Sequence, residues 1–128
     1  MNILSNSLRD DIPLFQQIAE MIETSIAEDN LTADEKVPST NELAKYYQIN
    51  PATAAKGINL LVDQGIIYKK RGVGMFVTKE AKDIILSKKK ENFFKDFVKP
   101  MLEEAERIDF NKKTIIHWIE EHSCNEEI

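Results

Sequence analysis

The chain has 128 residues, 42% of them hydrophobic and 30% charged, with a net charge of −5, the balance of an ordinary folded domain rather than a disordered or fibrous chain. A single cysteine, Cys124, leaves no disulfide framework and no cysteine-rich zinc site. No apolar run approaches the ~20 residues of a membrane helix, and the first eleven residues lack the basic-then-apolar pattern of a signal peptide, so a soluble, cytoplasmic chain with no membrane partner is expected.

The net charge hides a pattern. Residues 1–35 carry one positive and eight negative side chains, residues 36–79 seven positive and two negative, and residues 80–128 nine positive and twelve negative. A basic block between acidic flanks is what a polyanion-binding surface on an acidic protein looks like.

In chain order, the first predicted helix starts at Pro13, whose missing N–H costs nothing in a first turn, with Asp10 and Asp11 at the positive end of the helix dipole. Leu14, Ile18, Met21, Ile22 and Ile26 keep helical spacing to about Asp29, and Asn30 is the expected left-handed cap. Ser39-Thr40-Asn41-Glu42 has the form of a capping box and opens a short helix to about Tyr47. Asn50-Pro51 repeats the start signal for a third helix that runs to about Gln64, with Ala54, Ile58, Leu61 and Val62 inward and Gly65 ending it. Only Gln48 and Ile49 separate the second and third helices, so the two must cross steeply, as in a helix-turn-helix.

After Gly65 the period changes. Residues 66–71 and 75–78 are strand-like runs joined by Gly72-Val73-Gly74. The expected fold is mainly α with a small β-hairpin: a winged helix-turn-helix at 10–79, then an all-helical region at 80–124. In that region Ile84, Ile85, Phe93, Phe94, Phe97, Val98, Met101, Leu102 and Ala105 make an apolar stripe, which Pro100 should kink or restart. A last helix is expected from Asp109 or Asn111, carrying Ile115, Ile116, Trp118 and Ile119.

Residues 12–79 resemble the DNA-binding domain of the GntR family of bacterial transcription regulators. The resemblance rests on Pro13-Leu14-Phe15-Gln16-Gln17-Ile18, Lys36-Val37-Pro38-Ser39, Glu42-Leu43-Ala44, Asn50-Pro51-Ala52-Thr53 and Arg71-Gly72-Val73-Gly74-Met75-Phe76-Val77, in the family's order and spacing. Residues 93–102 resemble the short helical tail of the YtrA-like subfamily, which implies a homodimer paired through Ile85, Phe93, Phe94, Phe97, Val98, Met101 and Leu102. The resemblance further implies a repressor that binds an inverted-repeat operator in double-stranded DNA, responding to a small-molecule effector of unknown identity. Three positions depart from the family pattern: Asn41 stands where an Arg is usual, Asp34 where a Gly is usual, and Gly57 where an Ala is usual. They bear on which operator is read, not on DNA binding itself.

The candidate contacts follow from groove chemistry. A helix entering a major groove ~12 Å wide needs short or polar side chains near its start, and Asn50, Ala52, Thr53, Lys56 and Asn59 supply them. Lys69, Lys70, Arg71 and Gly72 form a basic wing with a flexible tip, suited to phosphate or a narrow minor groove. Ser39, Thr40 and Asn41 open the second helix, where hydroxyl, amide and backbone N–H groups can hold phosphate. Lys88-Lys89-Lys90 reads as a solvated face, and His117 and His122, five apart, do not share a helix face for a metal. With no Walker-type loop, nucleophile elbow or metal constellation, no enzyme activity and no cofactor are expected. The alternatives are a winged-helix protein-interaction module and a plasmid or phage replication or partition protein.

Overall fold

The computed structural model describes residues 8–122; Cys124 and the tail 125–128 lie outside the described residues. The elements run α1 (Leu14–Ala27), α2 (Thr40–Tyr47), α3 (Pro51–Asp63), β1 (Ile67–Lys70), β2 (Gly74–Val77), α4 (Ala81–Phe93), a π-helical turn (Phe94–Val98), α5 (Lys99–Arg107) and α6 (Lys112–Glu121). The chain divides into two compact units between Lys88 and Lys89.

The first unit is built on α1. Ile18, Ile22 and Ile26 recur along its inner side and are buried against Leu43 of α2, Ile58 and Leu61 of α3, and Ile66, Ile67 and Val77 around the hairpin. Pro13 stands as the N-cap with no side-chain bond, so Asp10 and Asp11 precede the helix. The buried Gln17 amide fixes that lead-in by accepting from the Arg9 N–H (2.6 Å) and donating to the carbonyls of Arg9 (2.7 Å) and Ile12 (2.6 Å). The left-handed residue after α1 is Asp29 (φ 64°), not Asn30. The turn therefore closes one residue earlier than expected, and Asn30 N–H donates back to Ser25 O at 2.8 Å.

Helices α1 and α3 touch backbone to side chain at Gly57. A Cβ there would stand 2.7 Å from the carbonyl oxygen of Phe15 and 3.2 Å from Ile18 Cβ, which explains glycine inside a helix despite its cost of about 0.5–1 kcal/mol. Gly65 takes a left-handed conformation (φ 78°) and Ile66 N–H returns to Leu61 O at 3.0 Å, the C-terminal cap expected after α3. The hairpin is antiparallel, pairing Ile67 with Val77 and Lys70 with Gly74. Residues 34–37 add along its other edge through Asp34 N–H to Val77 O, Val77 N–H to Glu35 O and Val37 N–H to Met75 O, at 2.8–3.0 Å.

The expected division at 79/80 differs from the observed one, because the first two turns of α4 belong to this core. Ala81 and Ile85 are buried in it at 1% and 0% exposure. Lys82 pairs with Asp29 (2.8 Å), and Lys88 with the nearly buried Glu23 (2.6 Å). Lys88 is thereby withdrawn from the lysine run expected to be a solvated face. Ile85, expected in the subunit interface, is a core residue.

In the second unit, α5 starts at Lys99 with Pro100 in its first turn, the restart expected there. Lys99 N–H bonds to Phe94 O, five residues back, so a π turn absorbs the place where proline would lack a donor and clash with the preceding turn. Asn111 caps α6 through its side chain to Lys113 N–H at 2.8 Å. Ala105 and Ile115 are buried, and the rings of Phe110 and Trp118 lie 5.2 Å apart.

Candidate nucleic-acid interface

The start of α2 is fixed by the sequence motif. Ser39 Oγ accepts from Glu42 N–H (3.0 Å) and Glu42 Oε1 accepts from Ser39 N–H (2.8 Å), the complete capping box. These bonds to Ser39, with the nearby Lys36 ammonium as a smaller influence, hold the Glu42 carboxyl below the usual carboxylate range. Gln48, left-handed at φ 55°, turns the chain, and Asn50 Oδ1 caps α3 by accepting from Ala52 N–H at 2.8 Å.

With Ala54, Gly57, Ile58 and Leu61 buried, the 3.6-residue period leaves Ala52, Lys56 and Asn59 together on the solvent side of α3. Thr53 is half-buried in the first turn of α3, and Asn50 and Asn41 are exposed. On the wing, Tyr68 and Phe76 stack at 5.9 Å, and Lys70 Nζ lies 4.7 Å above the Phe76 ring. The Tyr68 hydroxyl donates to Asp34 Oδ1 (2.9 Å), which pushes that phenol's pKa up. Arg71, Gly72 and Val73 form the exposed tip, where Gly72 is left-handed at φ 75° with open space around it.

These elements enclose a groove of about 380 Å³. It brings together Ser39 and Thr40 of α2, Asn59 of α3, and Lys69, Lys70 and Gly72 of the wing. A neighbouring depression takes Ala52, Lys56 and Asn59 with Phe15 of α1, so Asn59 borders both. Lys56 Nζ sits 4.1 Å over the Phe15 ring. Asn41, Asn50, Thr53 and Arg71 line neither depression. One charged groove residue is not among the candidates: Lys36. The signal for it was its place in the basic block ahead of Val37-Pro38-Ser39, but only the pairing of residues 34–37 with β2 brings it to the wing.

Of the residues expected to pair subunits, Phe93 and Phe94 are each 57% exposed and Phe97 66%, with Met101 and Leu102 also exposed and Val98 half-buried. Phe93 and Phe97 touch each other at 5.7 Å. Among the described residues no three His, Cys, Asp or Glu side chains gather to hold a metal ion, and no helix is long and apolar enough to cross a membrane.

Comparison with known proteins gives these features a setting. The chain is 26% identical over 117 residues to the HTH-type transcriptional repressor YtrA of Bacillus subtilis, covering 91% of this chain and 89% of YtrA. Two longer curated relatives from the same organism also match, and the chain spans 31% and 51% of their lengths. Its fold is similar to a GntR family transcriptional regulator from Listeria monocytogenes, with a TM-score of 0.69 and 28% identity over 91% of this chain and all of that one. It is also similar to the AraR DBD crystallised in complex with operator ORX1, with a TM-score of 0.51 and 31% identity over 57% of this chain and 90% of that one. The family model for bacterial regulatory proteins of the gntR family matches residues 14–77, half of the sequence, and the chain belongs to that family.

Proposed function

We propose that this chain is a sequence-specific DNA-binding transcriptional repressor that binds an inverted-repeat operator as a homodimer. The observation that carries the reading is the groove in which hydroxyl, amide and ammonium groups from α2, α3 and the wing converge. Ala52, Lys56 and Asn59, with Asn50 and Thr53 at the helix start, face the major groove. Ser39, Thr40 and Asn41 hold the phosphate backbone beside it, and Lys69, Lys70, Arg71 and Gly72 hold it along the wing. The AraR DBD solved with an operator and the YtrA repressor are the relatives that support DNA as partner and repression as outcome.

The exposed Phe93, Phe94, Phe97, Met101 and Leu102 supply the pairing surface, since apolar side chains in this density on a helix call for a cover. Pairing matches two-fold protein symmetry to a palindromic site, and an effector of unknown identity acting on the helical unit would work by altering half-site spacing. The reading assigns no catalytic residue, metal or cofactor. Selection of bound sequences from random duplex DNA tests it: enrichment of two inverted half-sites at a fixed spacing is expected, and no enrichment refutes it.

A further inference from the structure

We propose that Lys36 is a phosphate-binding residue of this interface, its side chain lying across the wing over Gly74. The proposal rests on the DNA-binding reading above and adds to it a contact that the helix and wing motifs do not contain.

Four observations converge. The bonds of residues 34–37 to β2 set Lys36 opposite Phe76, with Gly74 as its diagonal neighbour, while Lys70 faces Gly74 from the other strand. The Lys36 side chain lies against the bare backbone of Gly74: a Cβ there would stand 2.8 Å from Lys36 Cε and 3.6 Å from Nζ, so the lysine would have to shift to make room for one. One lysine thus lies across the wing over Gly74, where a second one faces it. Gly74 also adopts φ 142°, a conformation that disfavours any other residue.

The third observation is charge. The groove holds Lys36, Lys69 and Lys70 with Ser39, Thr40 and Asn59 and has no acidic lining residue. Among the described residues Lys36 has no carboxylate within ion-pair distance, whereas Lys82 and Lys88 each have one. The fourth is the chemistry of the head group. An ammonium donates three hydrogen bonds and accepts none, so it suits phosphate oxygens; among base edges only the paired acceptors of guanine would suit it as well. Val37, the next residue, is buried, so the Lys36 backbone is anchored before DNA arrives.

The test uses full-length Lys36→Gln and Lys36→Arg, a duplex recovered by selection, and an unrelated duplex of equal length, titrated from about 50 to about 200 mM salt. Thermal melts report folding. Lys36→Gln is expected to weaken both duplexes by the same factor, on the order of fivefold, and to lower the slope of log affinity against log salt by about 0.9, the value for one phosphate contact. Lys36→Arg should keep the slope. A folded Lys36→Gln protein with an unchanged slope overturns the proposal and leaves the DNA-binding reading standing. Loss on the selected duplex alone also overturns it, since Lys36 would then read a base. A wild-type protein that binds neither duplex overturns both readings.

Discussion

Replacing Ile85 by alanine separates two accounts of the same residue. On the apolar stripe alone, Ile85 belongs to a subunit interface, and its loss should weaken pairing while leaving each subunit folded. In the structure it is fully buried with Ala81, Ile18 and Leu61 in the core of the first unit. Three carbons leave that core, at about 0.8 kcal/mol each, or about 2.4 kcal/mol in transfer alone. A cavity that collapses only partly brings the total to about 3–4 kcal/mol, inside the range of about 2–5 found for such truncations. For a domain of this size that lowers the melting temperature by about 12–30 °C. Thermal and urea unfolding of Ile85→Ala, with sedimentation on the same sample, measures both effects. A melting temperature within about 2 °C of wild type, with a halved mass, would refute the core placement. A fragment ending at Lys88 should accordingly be far more stable than one ending at Thr78, which lacks Ala81, Ile85 and the Lys88–Glu23 pair.

Phe94→Glu with Phe97→Glu should dissociate the proposed dimer with helicity kept, because both rings are exposed in the single chain and two carboxylates per subunit would have to be buried on pairing, at several kcal/mol together. Circular dichroism and sedimentation check it, and unchanged mass would exclude this face. Gly57→Ala should destabilise the first unit by about 1–2 kcal/mol, since overpacking against the Phe15 carbonyl outweighs the helix propensity that alanine restores; a raised melting temperature would mean that α1 and α3 stand farther apart. The Glu42 carboxyl lies below its unfolded value of 4.5 because Ser39 bonds to it. Its contribution is therefore present in full above that value and lost as the pH falls through the lowered value of the folded state, so melts of wild type and Glu42→Gln should converge at acid pH.

Local chemistry made most of the first unit legible. Ser39 with Glu42, Asn50 with Pro51, and Gly65 are start and stop signals whose bonds close within a few residues, so α2, α3 and the cap after α3 stand where those residues place them. The strand-like runs 66–71 and 75–78 on either side of Gly72-Val73-Gly74 marked the hairpin for the same reason: a glycine turn between β-prone residues is a local signal. A stripe of apolar side chains, by contrast, says that a face will be buried and not what will bury it. Ile85 and Phe94 belong to one stripe, yet Ile85 is in the core and Phe94 is exposed, because the first two turns of α4 fill a gap that α1, α3 and the hairpin leave. The same limit explains Gly57, a costly helix residue until the Phe15 carbonyl is seen above it, and Lys36, one of seven cations in a basic block until residues 34–37 pair with β2. Each depends on atoms far away in sequence. Close approach between separate elements is set by packing, and no local pattern encodes it.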